Sequence, residues 1–215
     1  MDGIINKDKT FCYRITHRDN LAHLLAHGLV NKHHENAGSN FVPIGNLEII
    51  DVRSDTEVNI EGYGSIGSYV PFYFTPRSIM LLNIVTGYYA PKVPKRSKDE
   101  IIVIRCRIED LTKEPKWFFT DGQANDGETT HYNDLSYLNK VDWNCIQQSN
   151  FRKSDGDYDR QRRYQAEFLV YNTVPVKRIE SICVYSNTMK EWAEQKINAV
   201  GLKIPVHISK LYFFD

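Results

Sequence analysis

A chain of 215 residues, 41% hydrophobic and 12% aromatic, is long enough for one sizeable core and short for two typical domains, so residues 1–215 read as one globular domain. Its 27 basic and 27 acidic side chains cancel, which excludes whole-chain attraction to nucleic acid and leaves that task to local patches. No apolar run approaches the roughly 20 residues that span a bilayer, and the start from Met1 to Thr10 is polar, so a cytoplasmic protein without a membrane partner is expected.

In chain order, Phe11 to Thr16 alternates as a strand does, and Asn20 to His27 carries apolar residues at helical spacing and stops at Gly28. Residues 31–68 are rich in Asn, Gly, Ser and charge and hold only the apolar run Leu47 to Val52, which predicts a long functional loop with a small embedded element. Tyr69 to Phe74 reads as a strand that Pro71 confines to an edge or a bulge. Ser78 to Thr86 reads as a helix, Ile101 to Ile108 as the clearest core strand, and Trp117 to Thr120 as a short strand ahead of a Gly/Asp turn. Asn133 to Leu138 reads as a helix and residues 147–163 as a polar segment. Glu167 to Tyr171, Ile179 to Tyr185 and Ile208 to Phe214 read as strands, with an amphipathic helix from Met189 to Ala199. Helices inserted irregularly among the strands argue for an α+β fold, because a regular βαβ repeat is absent.

The sequence has no Walker A loop, no GxGxxG following a strand, no HExxH and no GxSxG, which removes the commonest nucleotide, zinc and serine-hydrolase signatures. Cys12, Cys106, Cys145 and Cys183 are scattered beside apolar neighbours and read as buried thiols. His23 and His27 have metal-ligand spacing, but nothing nearby suggests a third ligand, so no metal is expected. His17 differs, since it ends a strand just before a turn, where side chains and backbone groups meet ligands.

Glu167 opens an otherwise apolar strand. It reads either as a solvated strand-end charge or as a carboxylate at a cleft rim, able to hold a ribose hydroxyl and stabilise an oxocarbenium-like transition state. Ahead of it, Arg152, Lys153, Arg160, Arg162 and Arg163 interleave with Phe151, Tyr158 and Tyr164. That composition suits single-stranded nucleic acid, while Asp155, Asp157 and Asp159 keep a plain solvated loop open.

Four blocks in this order, Tyr13 to Leu29 (YRITHRDNLAHLLAHGL), Tyr69 to Ile84 (YVPFYFTPRSIMLLNI), Trp117 to Gly122 (WFFTDG) and Gln165 to Tyr171 (QAEFLVY), resemble the DarT family of DNA ADP-ribosyltransferase toxins, over residues from about 11 to 186. The resemblance implies a fold like that of the poly-ADP-ribose polymerases, with split mixed β-sheets and helices around a central NAD cleft. It implies NAD as co-substrate without a metal, transfer of ADP-ribose to thymidine in single-stranded DNA at short preferred sequences, and a block to replication. The partner it implies is a DarG antitoxin, whose macrodomain removes the modification and which also binds the toxin.

Carried over by position, Glu167 matches the family's catalytic glutamate, Arg53 an arginine that activates the thymine, and His131 a histidine of the same site. Thr16 and His17 match the strand end that holds the nicotinamide ribose and amide, with Asn20 just beyond. Tyr73, Phe74 and Arg77 fall in the block along the NAD cleft, where an aromatic ring stacks on nicotinamide and an arginine pairs with pyrophosphate. Arg152, Tyr158, Arg160, Arg162 and Arg163 are the expected DNA-binding residues. The same cleft also suits an RNA or protein acceptor, and an inactive NAD-binding or nucleic-acid-binding module has the same sequence features apart from turnover.

Overall fold

The computed structural model describes residues 10–38 and 40–215; residues 1–9, the start of the polar amino terminus, lie outside the described residues. Alternating burial makes Phe11–His17 strand β1. A turn of 3-10 helix leads into α1 (Leu21–His27), which Gly28 ends with φ of 77° before the two-residue β2 (Leu29–Val30). A side chain at Gly28 would meet the Val174 carbonyl, so the packing here requires glycine. The long polar stretch holds α2 (Leu47–Asp55), capped by the Asn46 side chain accepting from the Glu48 N–H. Strand β3 (Tyr69–Tyr73) follows, then α3 (Ile79–Thr86), capped by Ser78 and closed by left-handed Gly87.

β4 (Ile101–Arg107) is the most buried strand and continues into the short α4 (Ile108–Leu111). β5 (Trp117–Thr120), β6 (His131–Tyr132), α5 (Trp143–Gln147) and α6 (Arg160–Tyr164) carry the chain to β7 (Glu167–Tyr171), which runs on into β8 (Thr173–Val174). β9 (Ile179–Val184), α7 (Asn187–Ala199) and β10 (Val206–Ile208) complete the elements. The strand order is β10-β9-β4-β1-β3-β7-β5-β6, with β2 and β8 as a separate pair. β1 pairs with β4 along its whole length, but with β3 only at Tyr13↔Tyr73. The sheet is therefore split into two halves, and the mixed α+β architecture is that of the expected ADP-ribosyltransferase fold. Its apolar faces are covered on one side by α1 and α7 and on the other by α3 and Phe213.

Three expectations are corrected. Pro71 is not at an edge, since β3 lies between β1 and β7; the split explains why proline is tolerated there. The side of β3 facing β1 has almost no ladder to complete, and the Pro71 carbonyl accepts from Arg14 Nη1 at 3.0 Å instead. Ile208 to Phe214 is not a strand. Only Val206–Ile208 pairs, parallel to β9, and Lys210–Phe213 turns as a 3-10 helix that buries Phe213 completely. Leu135–Lys140 is likewise 3-10 helix where Asn133 to Leu138 was expected to be helical. The thiols are as expected: all four cysteines are buried and unpaired, and burial pushes Cys12 and Cys106 well up and Cys145 up to about 11.

Phe74 illustrates how strand alternation divides a block. Tyr73 faces the split, whereas Phe74 turns inward, with ring centroids 5.1 Å from Trp143 and 6.5 Å from Phe119. Phe74→Ala is expected to lower unfolding stability by roughly 3–5 kcal/mol in equilibrium denaturation. A loss below about 1 kcal/mol would place the ring outside the core.

Candidate active site

Glu167 is the first residue of β7 and pairs with Tyr73, which in turn pairs with Tyr13, so it stands one strand away from the split. Its position is fixed from behind: the Glu167 N–H donates to Thr120 Oγ1 at 3.0 Å, and that hydroxyl donates to the Gly122 carbonyl at 2.6 Å. The side chain is 2% exposed. A carboxylate so buried needs partners, and it has them: Arg53 Nη1 and Nη2 donate to Oε1 and Oε2 at 3.0 and 2.9 Å, and the Ala124 N–H donates to Oε1 at 3.0 Å. Of about four acceptor positions on a carboxylate, this leaves one, on Oε2. Glu167 also lines the cleft, so that position is open to a ligand. The solvated strand-end reading is excluded.

Arg53 reaches Glu167 from the last turn of α2. Burial lowers the guanidinium's proton affinity, but the facing carboxylate more than offsets this and raises Arg53 above its ordinary value. α2 approaches this closely because of Gly67. A Cβ there would lie 2.7 Å from the Ser54 Cα, so any other residue would push the helix, and Arg53 with it, away from β7. Tyr73 lines the same cavity, and burial together with Glu167 holds its phenol well above the ordinary range.

The cleft has a large chamber of about 700 Å³, within the range of small-molecule sites, and a smaller one of about 270 Å³ against α1. Thr16 lines both chambers, and its Oγ1 accepts from Asn20 Nδ2 at 3.0 Å. Asn20 lines the smaller chamber and pins the long loop by two bonds to the Val42 backbone. The His17 side chain points the other way, its Nδ1 accepting from the Asp19 N–H and its Nε2 3.5 Å from Glu100; only its backbone remains on the cleft side of the strand end.

Other expected residues fall outside the cleft. Phe74 is core. Arg77 donates to the Leu211 carbonyl and stacks on Phe214 at 4.4 Å, so it braces the carboxy-terminal turn and lines neither chamber. His131 is one step removed: its Nδ1 accepts from the Asn59 N–H at 2.9 Å and its Nε2 donates to the Ala124 carbonyl at 3.0 Å, bracing the peptide whose neighbouring N–H holds Glu167. In the basic segment, Arg160 pairs with Asp157, Arg162 with Asp159 and Asp121, and Arg163 with Asp142, Asp157 and Asp159. Their expected phosphate partners are replaced by internal carboxylates. Arg152 and Lys153 are exposed, and Lys153 and Tyr158 stand on the cleft rim.

Sequence reasoning missed Arg14, Gln123 and Gln165, all of which line the large chamber. The signal for Arg14 was present, since it lies two residues before Thr16 on an alternating strand and so shares its face. Ala124 was not legible, because its contribution is a backbone N–H.

A sequence profile described as "ssDNA thymidine ADP-ribosyltransferase, DarT" matches residues 13–214. A "DNA ADP-ribosyl transferase" of Escherichia coli O127:H6 is 33% identical over 98% of this chain and 96% of its own length. The structure of Thermus sp. 2.9 DarT in complex with ADP-ribosylated ssDNA superposes with a TM-score of 0.87 at 28% identity, covering 99% of this chain and all of that one. The same protein in complex with NAD+ gives a TM-score of 0.79 at 28% identity over 95% and 97% of the two chains.

Burial holds His131 below the ordinary histidine value, against opposing contributions from the Ala124 carbonyl and the Asp121 and Glu167 charges. The folded protein thus favours the neutral ring. As pH falls through the ordinary histidine value the unfolded chain takes up that proton first, so stability drops. Between about pH 7 and pH 5 this adds a slope of at most about 1.4 kcal/mol per pH unit, and His131→Asn is expected to remove it from the pH dependence of unfolding. An identical slope in the variant would contradict it.

Proposed function

The chain belongs to the DarT family of ssDNA thymidine ADP-ribosyltransferases, and from that premise we propose that Glu167 and Arg53 carry out transfer of ADP-ribose from NAD to a thymine base of single-stranded DNA. The observation that carries the assignment is the remaining acceptor position of the buried Glu167 carboxylate, aimed into a cleft at the split between the half-sheets.

In this reading NAD lies in the cleft with its nicotinamide end against the Thr16 and His17 backbone and the Tyr73 ring. Glu167 Oε2 accepts a ribose hydroxyl and offsets positive charge as the bond from the ribose C1′ to nicotinamide breaks, the electron pair leaving with nicotinamide. Thymine N3 then bonds to C1′ and gives up its proton. Arg53, held beside the reacting carbon by Glu167, offsets negative charge on the base as that proton leaves. It does so as a cation, because a guanidinium this strongly paired does not act as a base. His131 uses both ring nitrogens in bracing the Ala124 peptide, so its role is positioning. Lys153 and Tyr158 at the rim, with Arg152 beside them, receive the strand by phosphate pairing and base stacking.

Family membership supports the wider setting: a bacterial cytoplasmic toxin whose DNA modification blocks replication and whose partner is a macrodomain antitoxin of the DarG type. The match of one profile from residue 13 to 214 supports reading the chain as one domain.

The test is Glu167→Gln, which keeps the side chain's shape. Mass spectrometry of single-stranded oligonucleotides of varied sequence after incubation with NAD is expected to show transfer reduced by roughly 10²–10³-fold or more, with nicotinamide release falling in parallel. Transfer within about tenfold of the wild-type rate in a folded variant would remove Glu167 from the chemistry.

A further inference from the structure

Arg14, Thr16, Phe41, Ile50, Arg53 and Pro71 line both chambers, and so form the neck between them. Two of these side chains are cationic, and their situations differ. Arg53 is fully engaged by Glu167. Arg14 makes one hydrogen bond among the described residues, from Nη1 to the Pro71 carbonyl across the split, and its other N–H groups face the neck. Burial and the neighbouring Arg53 pull it down to about 10, which is what an unpaired cation suffers in a cleft that lacks an anion for it.

A molecule that fills both chambers must cross this neck, and a dinucleotide has two bulky nucleoside halves joined by a doubly negative diphosphate. Threaded through the cleft, it brings its charge to the narrow place where the unpaired guanidinium stands. Building on the reading of NAD as co-substrate, we infer that Arg14 is the diphosphate-binding residue of this cleft, oriented by the Pro71 carbonyl and recognising the dinucleotide by its linkage. A second cation beside the oxocarbenium-like centre would oppose the reaction, so Arg14 acts through binding: its loss raises KM for NAD more than it lowers kcat. The strand pattern places Arg14 for this, because Thr16 on the same face of β1 lies at the same neck.

Calorimetry of the wild-type protein and Arg14→Gln with NAD, ADP-ribose and nicotinamide riboside, which has no diphosphate, tests the assignment. NAD and ADP-ribose are expected to weaken by about 10- to 100-fold and nicotinamide riboside by less than about twofold. Equal weakening of all three ligands, or undiminished NAD and ADP-ribose affinity, would overturn it. Should Arg14→Gln fail to fold, Arg14→Lys carries the same comparison: it keeps the charge but loses the planar fork, so a loss of about 3- to 10-fold confined to the diphosphate ligands is expected, and equal losses for all three would count against the assignment. A wild-type protein that binds ADP-ribose yet releases no nicotinamide from NAD would argue against the proposed reaction, while the Arg14 comparison on ADP-ribose would still decide the diphosphate site.

Discussion

The bidentate contact between Arg53 and Glu167 joins a helix embedded in the long polar loop to the first residue of a strand in the second half-sheet. Everything at the centre of the cleft is arranged around it. Gly67 lets the helix come close, Thr120 fixes the strand end from behind, and the Ala124 N–H occupies a third acceptor position. A buried ion pair is poor value as a source of stability, since well-packed apolar residues of the same volume do as well, whereas removing one partner is costly. Stability alone does not account for this pair. Its use is to keep an ionised carboxylate and a cation side by side in a cavity, where charge developing on either reactant finds an opposite charge already in place.

The split in the sheet is the second constraint, and it follows from the first. A continuous ladder between β1 and β3 would close the space in front of Glu167; one register pair at Tyr13 and Tyr73 keeps the halves together while the strands part beyond it. Pro71 suits this place because it has no N–H to leave unsatisfied, and its carbonyl, with no ladder partner, orients Arg14. The chain has no net charge, yet the neck of the cleft carries an unpaired cation. Local placement, not overall charge, prepares the site for an anionic ligand.

Much of this was legible in the sequence where local pattern and tertiary setting agree. Alternation placed β1 and β4, glycine ended α1, and Ser78 began α3. The four blocks located Glu167, Arg53, Thr16 and Tyr73, and the structure brings these together at the cleft. What failed depended on information no local window holds. Pro71 looked like an edge residue because the sequence cannot show a sheet that splits beside its fifth strand in order. Phe74 and Arg77 share a block with Tyr73, but alternation and the carboxy-terminal turn take them elsewhere. The basic segment before β7 looked like a phosphate site, and its aspartates prove to be the partners of its arginines. Arg14 was passed over because a single arginine in a strand has no spacing signature.

A double-mutant cycle on Arg53 and Glu167, with Arg53→Met, Glu167→Met and the pair together, tests the central claim most directly when read as equilibrium unfolding free energy. Each single variant leaves one buried charge unpartnered and is predicted to cost about 3–5 kcal/mol, with the double variant regaining at least about 2 kcal/mol of the summed loss. Losses that simply add would contradict the account, because the two side chains would then be held in place independently and the contact between them would organise nothing.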